Sequence, residues 1–276
     1  MGSVKVKLLA AAAALAGTAA GAADLPPPMP PPIYKAPIVE DFGGWYLRGD
    51  IGFSNQRIKS IEFIPGPNLP PLTTQQTLSA GFDTGGIFGL GIGYQYNWFR
   101  FDVTGEYRSN AGFRSVNVLS SGGFTFPEQN FASKSEWVAL ANVYADLGTW
   151  WCITPFIGAG VGAAYNTISN FHDLGVLFGA NNFADTGSKW NLAWAVHAGL
   201  AYKVTPNFTV EFAYRYLNLG SAQTGILHGF DGTFQGQNER FNGLTSHDVK
   251  FGIRWLLSPP APEPAYAPPP PLVRKG

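Results

Sequence analysis

The chain has 276 residues, of which 13% are charged, 14% are aromatic and 34 are glycine. Its 18 basic and 18 acidic residues cancel, so the sequence lacks the basic surface that nucleic-acid binding requires. A single cysteine excludes a disulfide scaffold and a multi-cysteine metal site. Beyond the signal-like N-terminus, no uncharged apolar run is long enough for a membrane-spanning helix.

The N-terminus has the pattern of a secretory signal. Lys5 and Lys7 precede an apolar stretch at 8–16, and small residues at 20–22 provide a cleavage site. We expect residues 1–22 to be removed during export, which leaves a mature chain with a small negative charge.

Proline is concentrated at the two ends of the mature chain. Seven prolines lie between Pro26 and Pro37 and eight between Pro259 and Pro271. Such segments favour an extended, polyproline-like conformation. Residues 23–42 and 258–276 are therefore predicted to be periplasmic segments, either simple linkers or spacers that contact peptidoglycan or another periplasmic partner.

Residues 43–257 show a period of two in eight segments, whereas the helical period is absent. The segments lie near 45–53, 86–97, 98–109, 135–147, 154–167, 188–204, 208–217 and 246–257. In the third, Phe99, Phe101 and Val103 alternate with Arg100 and Asp102. Apolar, aromatic-rich faces opposite charged faces are typical of membrane strands. The predicted fold is an all-β, eight-stranded antiparallel up-and-down transmembrane β-barrel, with ten strands as the alternative.

The lengths of the connections predict the orientation of this barrel. Short turns follow the second, fourth and sixth segments, whereas long connections span 55–85, 110–134, 168–187 and 218–245. Long loops of outer-membrane barrels face the exterior. We therefore expect four long external loops, partly extended as strands at 57–64 and 114–119, and two periplasmic termini.

Charged residues of the strands all fall on the predicted inner face. This set contains Arg48, Asp50, Arg100, Asp102, Glu106, Arg108, Glu136, Asp146, Lys189, Lys203, Glu211, Arg215, Asp248, Lys250 and Arg254. An eight-stranded barrel is just wide enough for side chains to fill. The nearly balanced charges predict a structural network that plugs the lumen, because buried charges must be paired. A narrow pore is the alternative.

Three motifs of the sequence are candidates for catalytic or ligand sites. The alternating glycines at 89–93 and 158–162 lie within predicted strands, so they lack the helix that a dinucleotide site needs. Ser246, His247 and Asp248 are consecutive on a strand, so the histidine faces away from the other two. His172 and His228 lie in exterior loops, where they are either solvated or able to capture haem or a metal. We expect no enzymatic activity and no resident cofactor.

The sequence resembles the small alphaproteobacterial outer-membrane barrels that include major surface antigens and hemin-binding proteins, and more distantly the membrane domain of OmpA-type proteins. The resemblance rests on the signal followed by ADLP at 23–26, GWYLRG at 44–49, TPFIGAGVG at 154–162 and VKFGIRW at 249–255. It implies an outer-membrane location among lipid and lipopolysaccharide, and a role in envelope structure or surface interaction. A small-solute porin and a hemin-binding receptor are the alternatives, and no ligand residue is implied.

Overall fold

The computed structural model describes residues 43–64, 74–176, 181–231 and 237–257, which form one antiparallel sheet of twelve strands. The predicted signal, both proline-rich segments and their orientation lie outside these residues. The strands are β1 (Trp45–Arg57), β2 (Ser60–Ile64), β3 (Thr74–Phe82), β4 (Gly85–Tyr96), β5 (Phe99–Ser121), β6 (Phe124–Asp146), β7 (Ile153–Gly175), β8 (Asn181–Ala184), β9 (Gly187–Lys203), β10 (Phe208–Gln223), β11 (Leu227–Gly229) and β12 (Asn238–Leu256). The described part of the chain contains no helix with the length and hydropathy needed to span a bilayer.

Eight of the twelve strands form a closed ring. Their order is β7-β6-β5-β4-β1-β12-β10-β9, and pairing of β7 with β9 closes it. The other four strands are short and pair at the margins: β2 with β12, β3 with β5, β8 with β7, and β11 with β8. The ring thus uses the eight segments in which the sequence alternates.

Side chains of the ring alternate between a polar inside and an apolar outside. In β1, Tyr46, Arg48 and Asp50 are buried, whereas Leu47 and Ile51 are exposed. Glycines of β4 make room for the long inward side chains: a Cβ at Gly91 would lie 3.0 Å from Cγ of Arg48. A surface this apolar requires an apolar environment, since water would penalise its exposure.

Aromatic pairs border the exposed apolar belt at both ends. At the end with the short turns, Trp45 packs on Tyr94 and Phe208 on Trp255. At the other end, Tyr107 packs on Trp137 (ring centroids 4.9 Å apart) and Tyr165 on Trp190 (4.8 Å). Eight residue steps of β5, from 99 to 107, cover roughly 27 Å along the strand. That length suits the apolar band of about 25 Å of membrane barrels.

Beyond the second pair of aromatic contacts the strands continue as an extension, where the sequence predicted long loops. The extension comprises 108–136, 166–189, 218–246 and β1–β3 from residue 54 onward, as far as these are described. The expected loop 110–134 is a hairpin of β5 and β6, turned at Gly122 and Gly123, which both have positive φ. The strand expected at 114–119 lies within β5, and the one expected at 57–64 corresponds to the end of β1 and to β2. Short strands also occupy parts of the other three expected loops.

Bulges interrupt the polar–apolar alternation of the strands where the extension begins. The register shifts between Arg108 and Ala111 in β5, at Asn170 in β7 and at Gly243 in β12; Asn170 and Gly243 have positive φ. Each bulge inserts one residue and reverses the face of every later side chain. A search for continuous alternation therefore stops at each of these points.

Apolar side chains fill the part of the interior that the charged residues leave. Val138, Leu140 and Leu217 are buried along the wall formed by β6, β7, β9 and β10. The same cluster continues into the extension through Phe113 and Phe241, whose rings meet edge to face at 5.0 Å. The interior therefore contains a charged side and an apolar side.

Candidate functional site

The first group of interior charges surrounds Glu211. Arg48 forms ion pairs with Asp50 (2.9 Å) and Asp102 (2.6 Å) and lies 3.5 Å from Glu211. Arg100 joins Glu211 at 2.7 Å and Asp146 at 2.8 Å, and Arg254 reaches Glu211 at 3.4 Å. Three guanidinium groups therefore share one buried carboxylate.

The second group centres on Arg108 and Arg215. Arg108 pairs with Glu136 at 2.9 Å and with Asp248 at 2.8 Å. Arg215 pairs with Glu106 at 2.6 Å and with Asp248 at 2.7 Å. Lys250 pairs with Glu106 and lies 3.5 Å from Asp50, so it connects the two groups.

The structure brings thirteen of the fifteen predicted interior charges into these ion pairs. Of the other two, Lys189 donates to the Ser221 hydroxyl at 2.8 Å, and Lys203 is exposed near the short-turn end. Arg100, Arg108 and Arg215 have 0% exposure, so solvent does not reach them. The network fills its side of the ring.

Sequence reasoning missed Lys134, which belongs to the second group. Its ammonium pairs with Glu136 and donates to Oε1 of Gln56 at 2.9 Å. Lys134 lies two residues before Glu136 on the same inward face of β6, within the segment predicted as a loop. Extending that strand by one alternation would have found it.

The motif at 246–248 divides between the two faces, as strand geometry requires. Ser246 and Asp248 are buried, and both accept hydrogen bonds from Arg108. His247 is on the outer face, where its Nδ1 lies 2.6 Å from the Tyr214 hydroxyl. The Ser246 hydroxyl donates to Oδ1 of Asp248 at 2.5 Å, and His247 lies on the other face, so the histidine does not bridge the serine and the aspartate.

Carboxylates also collect inside the extension, away from the ion-pair network. Burial, together with the nearby charge of Asp173, raises the pKa of Glu128 to about 8. Burial likewise raises the pKa of Asp173 and raises that of Glu239 well above its usual range. Within the described residues, no three Asp, Glu, His or Cys side chains converge closely enough to hold a metal ion.

The predicted histidines lie on one outward-facing patch of the extension. In the pairing of β7, β8 and β11, His172 and His228 both lie opposite Phe183, so the three share a face. The ring of His228 lies 5.6 Å from that of Phe183, and its Nε2 is 3.1 Å from Oδ2 of Asp185. Phe230 is 85% exposed beside them.

This patch, which we call the platform, borders an open cavity of about 370 Å³. The cavity is lined by His172, Leu174, Asn181, Asn182, Phe183 and Phe230. A second cavity, of about 280 Å³, opens at the short-turn end beside Asp146, Lys203 and Arg254. The platform combines exposed aromatic rings with histidine and amide groups, which suits recognition of a ligand or partner.

Residues 9–255 match the family described as outer membrane protein beta-barrel domain. An uncharacterized protein of Brucella abortus is 29% identical over 81% of this chain and 88% of its own length. The outer membrane protein PagN of Salmonella typhimurium is 27% identical over 63% of this chain and 74% of its own length. A putative adhesin of Rickettsia typhi is 27% identical over 76% of this chain and 87% of its own length.

Proposed function

Because the chain belongs to the outer membrane protein beta-barrel domain family, and is thus an outer-membrane protein, we propose that it is an eight-stranded transmembrane barrel that mediates surface interaction. In this proposal the barrel is plugged and non-catalytic, the extension faces the exterior, and both termini are periplasmic. Outer-membrane lipid and lipopolysaccharide surround the apolar belt, and the proline-rich ends contact peptidoglycan or a periplasmic partner.

The packed interior is the observation that carries this proposal. A porin needs a continuous polar path for water, but the interior charges are paired with one another and buried apolar side chains pack beside them. The exposed apolar belt and its aromatic borders support a transmembrane position. PagN and the putative adhesin support a role at the cell surface, where the platform is the candidate contact.

Adherence tests the surface role. Non-adherent Escherichia coli expressing the full chain should bind epithelial monolayers, and Phe183→Ala with Phe230→Ala should lower adherence at least fivefold. Phe124→Ala is the matched control, since Phe124 is also an exposed aromatic residue but lies at the β5–β6 hairpin. Adherence no greater than that of the vector strain, or equal loss in the control, would refute a role for the platform.

Planar-bilayer recording on the purified protein tests the plug. We expect no unit conductance steps, and stable steps in the wild type would favour the porin alternative. Hemin titration of the same sample tests the remaining alternative. A Soret shift that is lost in both His172→Ala and His228→Ala would assign the platform to hemin.

A further inference from the structure

Three buried carboxylates approach one another inside the extension. Glu128 and Asp173 are diagonal neighbours on β6 and β7, because Glu128 pairs with Gly175 and Asn130 pairs with Asp173. Asn130 lies directly opposite Asp173 in the strand pairing. Its Nδ2 donates to Oε1 of Glu239, which lies on β12, at 2.8 Å. Asn130 therefore connects Glu239 to the pair formed by Glu128 and Asp173.

No cation of the described residues forms an ion pair with this cluster. Among the described residues, none of the three carboxylates forms an ion pair, and their side-chain donors are amides, such as Asn182 Nδ2 to Asp173 Oδ2 at 3.0 Å. The three internal segments outside the description, 65–73, 177–180 and 232–236, contain no Lys, Arg or His. Below the cluster lies the apolar core around Phe113 and Phe171.

The cluster also contains more oxygen acceptors than donors. Four of its buried oxygens have no hydrogen-bond partner among the described residues: Oδ1 of Asn117, Oδ1 of Asn130, Oδ1 of Asp173 and Oε2 of Glu239. Asn117 and Asn130 have no exposed surface, and Nδ2 of Asn117 is 3.5 Å from Oε1 of Glu128. A buried acceptor without a partner is costly, and four together leave room for a donor or a cation.

We propose that this cluster is a binding site for a divalent cation, Ca²⁺ in preference to Mg²⁺. Glu128 and Asp173 would supply the charge, and the amide oxygens of Asn117 and Asn130 would complete an all-oxygen shell, with Glu239 held alongside by Asn130. Mixed carboxylate and amide oxygens in irregular geometry suit Ca²⁺, whereas Mg²⁺ demands a near-ideal octahedron. Only two of the three carboxylates would be direct ligands. All the proposed ligands are oxygen atoms, so the site lacks the nitrogen and sulfur donors that transition metals favour.

The proposed site lies directly behind the platform. Asp173 alternates with His172 and Leu174 on β7, and Asn182 alternates with Asn181 and Phe183 on β8. Because alternate side chains of a strand face opposite ways, the inward residues hold the cation while the outward ones form the platform. Because the proposed ligands lie on β5, β6 and β7, bound Ca²⁺ would join these three strands behind the platform.

Calcium titration of the full chain, folded in detergent micelles, tests the site. After treatment with EGTA and buffer exchange, isothermal titration with CaCl₂ should show one saturable site, with a dissociation constant of roughly 0.1–1 mM, as in extracellular calcium modules. MgCl₂ should bind at least tenfold more weakly. Asp173→Asn and Glu128→Gln should each weaken Ca²⁺ binding at least tenfold.

Glu62→Gln is the matched control, because Glu62 is an exposed carboxylate on β2 of the same extension. It should bind Ca²⁺ like the wild type. Absence of a saturable site in the wild type overturns the proposal whatever the variants do. Unchanged affinity in Asp173→Asn or Glu128→Gln also overturns it, provided that the variant keeps the folded, heat-modifiable gel mobility. The titration contains no cells, so its failure is separate from failure of the adherence test.

Discussion

Replacing Arg215 by methionine tests the interior network most directly. Its guanidinium donates four hydrogen bonds of 2.6–2.9 Å, two to Glu106 and two to Asp248, and it is fully buried. Breaking a buried ion pair costs about 3–5 kcal/mol, because a charge is left without its partner. Here each carboxylate keeps one cation, Lys250 or Arg108, so we expect the lower end, about 3 kcal/mol.

The assay is urea unfolding of the protein folded into lipid vesicles, followed by tryptophan fluorescence, with the free energy of unfolding taken from midpoint and slope. Arg114→Met provides the control, since Arg114 is an exposed arginine of β5. It should change the free energy of unfolding by no more than about 0.5 kcal/mol. A loss below about 1 kcal/mol for Arg215→Met, or one equal to the control, would refute the view that these pairs hold the interior together.

A double variant separates the ion pair from simple loss of volume. Arg215→Met with Glu106→Gln removes both partners, while Lys250 keeps Asp50 at 3.5 Å. The combined loss of stability should be smaller than the sum of the single losses by about 1–3 kcal/mol. Strict additivity would mean that the two side chains act independently.

Three further variants test the ring and the extension. A Cβ at Gly93 would overlap the ring of Tyr46, so Gly93→Ala should fail to reach the folded gel mobility. A Cβ at Gly105 meets nothing within 4 Å, so Gly105→Ala should fold normally. Leu90→Arg, on the outer face, should lower the free energy of unfolding from lipid by about 2–4 kcal/mol if that face meets the bilayer core, and by much less if it meets water. Deleting Asn170 should turn Phe171 outward, so limited proteolysis should cleave the extension while the ring stays protected.

Sequence reasoning located the ring strands and most of the interior charges for one physical reason. In the apolar belt, a charge at an outward position such as 101 or 103 would face lipid. Outward residues of the belt must therefore be apolar, which produces the regular alternation of residues such as Phe101 and Asp102. The lateral division of the interior was not predicted. Val138 and Leu140 face inward against the expected polarity, and only the packing of four strands shows that they meet other apolar side chains.

Contacts across the ring were also beyond sequence reasoning. Arg108 and Asp248 are 140 residues apart, and the sequence does not pair them. The same holds for the platform, because His172 and His228 belong to different predicted loops and meet through β8. The sequence of β8, NNFA, is too short to show a polar–apolar alternation. Short marginal strands of this kind are defined by their partners rather than by their own sequence.

The bulges determine where the membrane-facing pattern of the strands ends. Below them, aromatic residues such as Phe101 and Phe251 face outward, as an apolar environment requires. Above them, Phe113, Phe171 and Phe241 face inward, although each has the same odd parity as the outward aromatics of its own strand. One extra residue in each strand makes this exchange, and the neighbours Arg114, His172 and Arg240 then face outward. A strand that leaves the bilayer for water must bury its apolar side chains inside, and the bulges at 108–111, Asn170 and Gly243 reverse the facing of the side chains at that boundary.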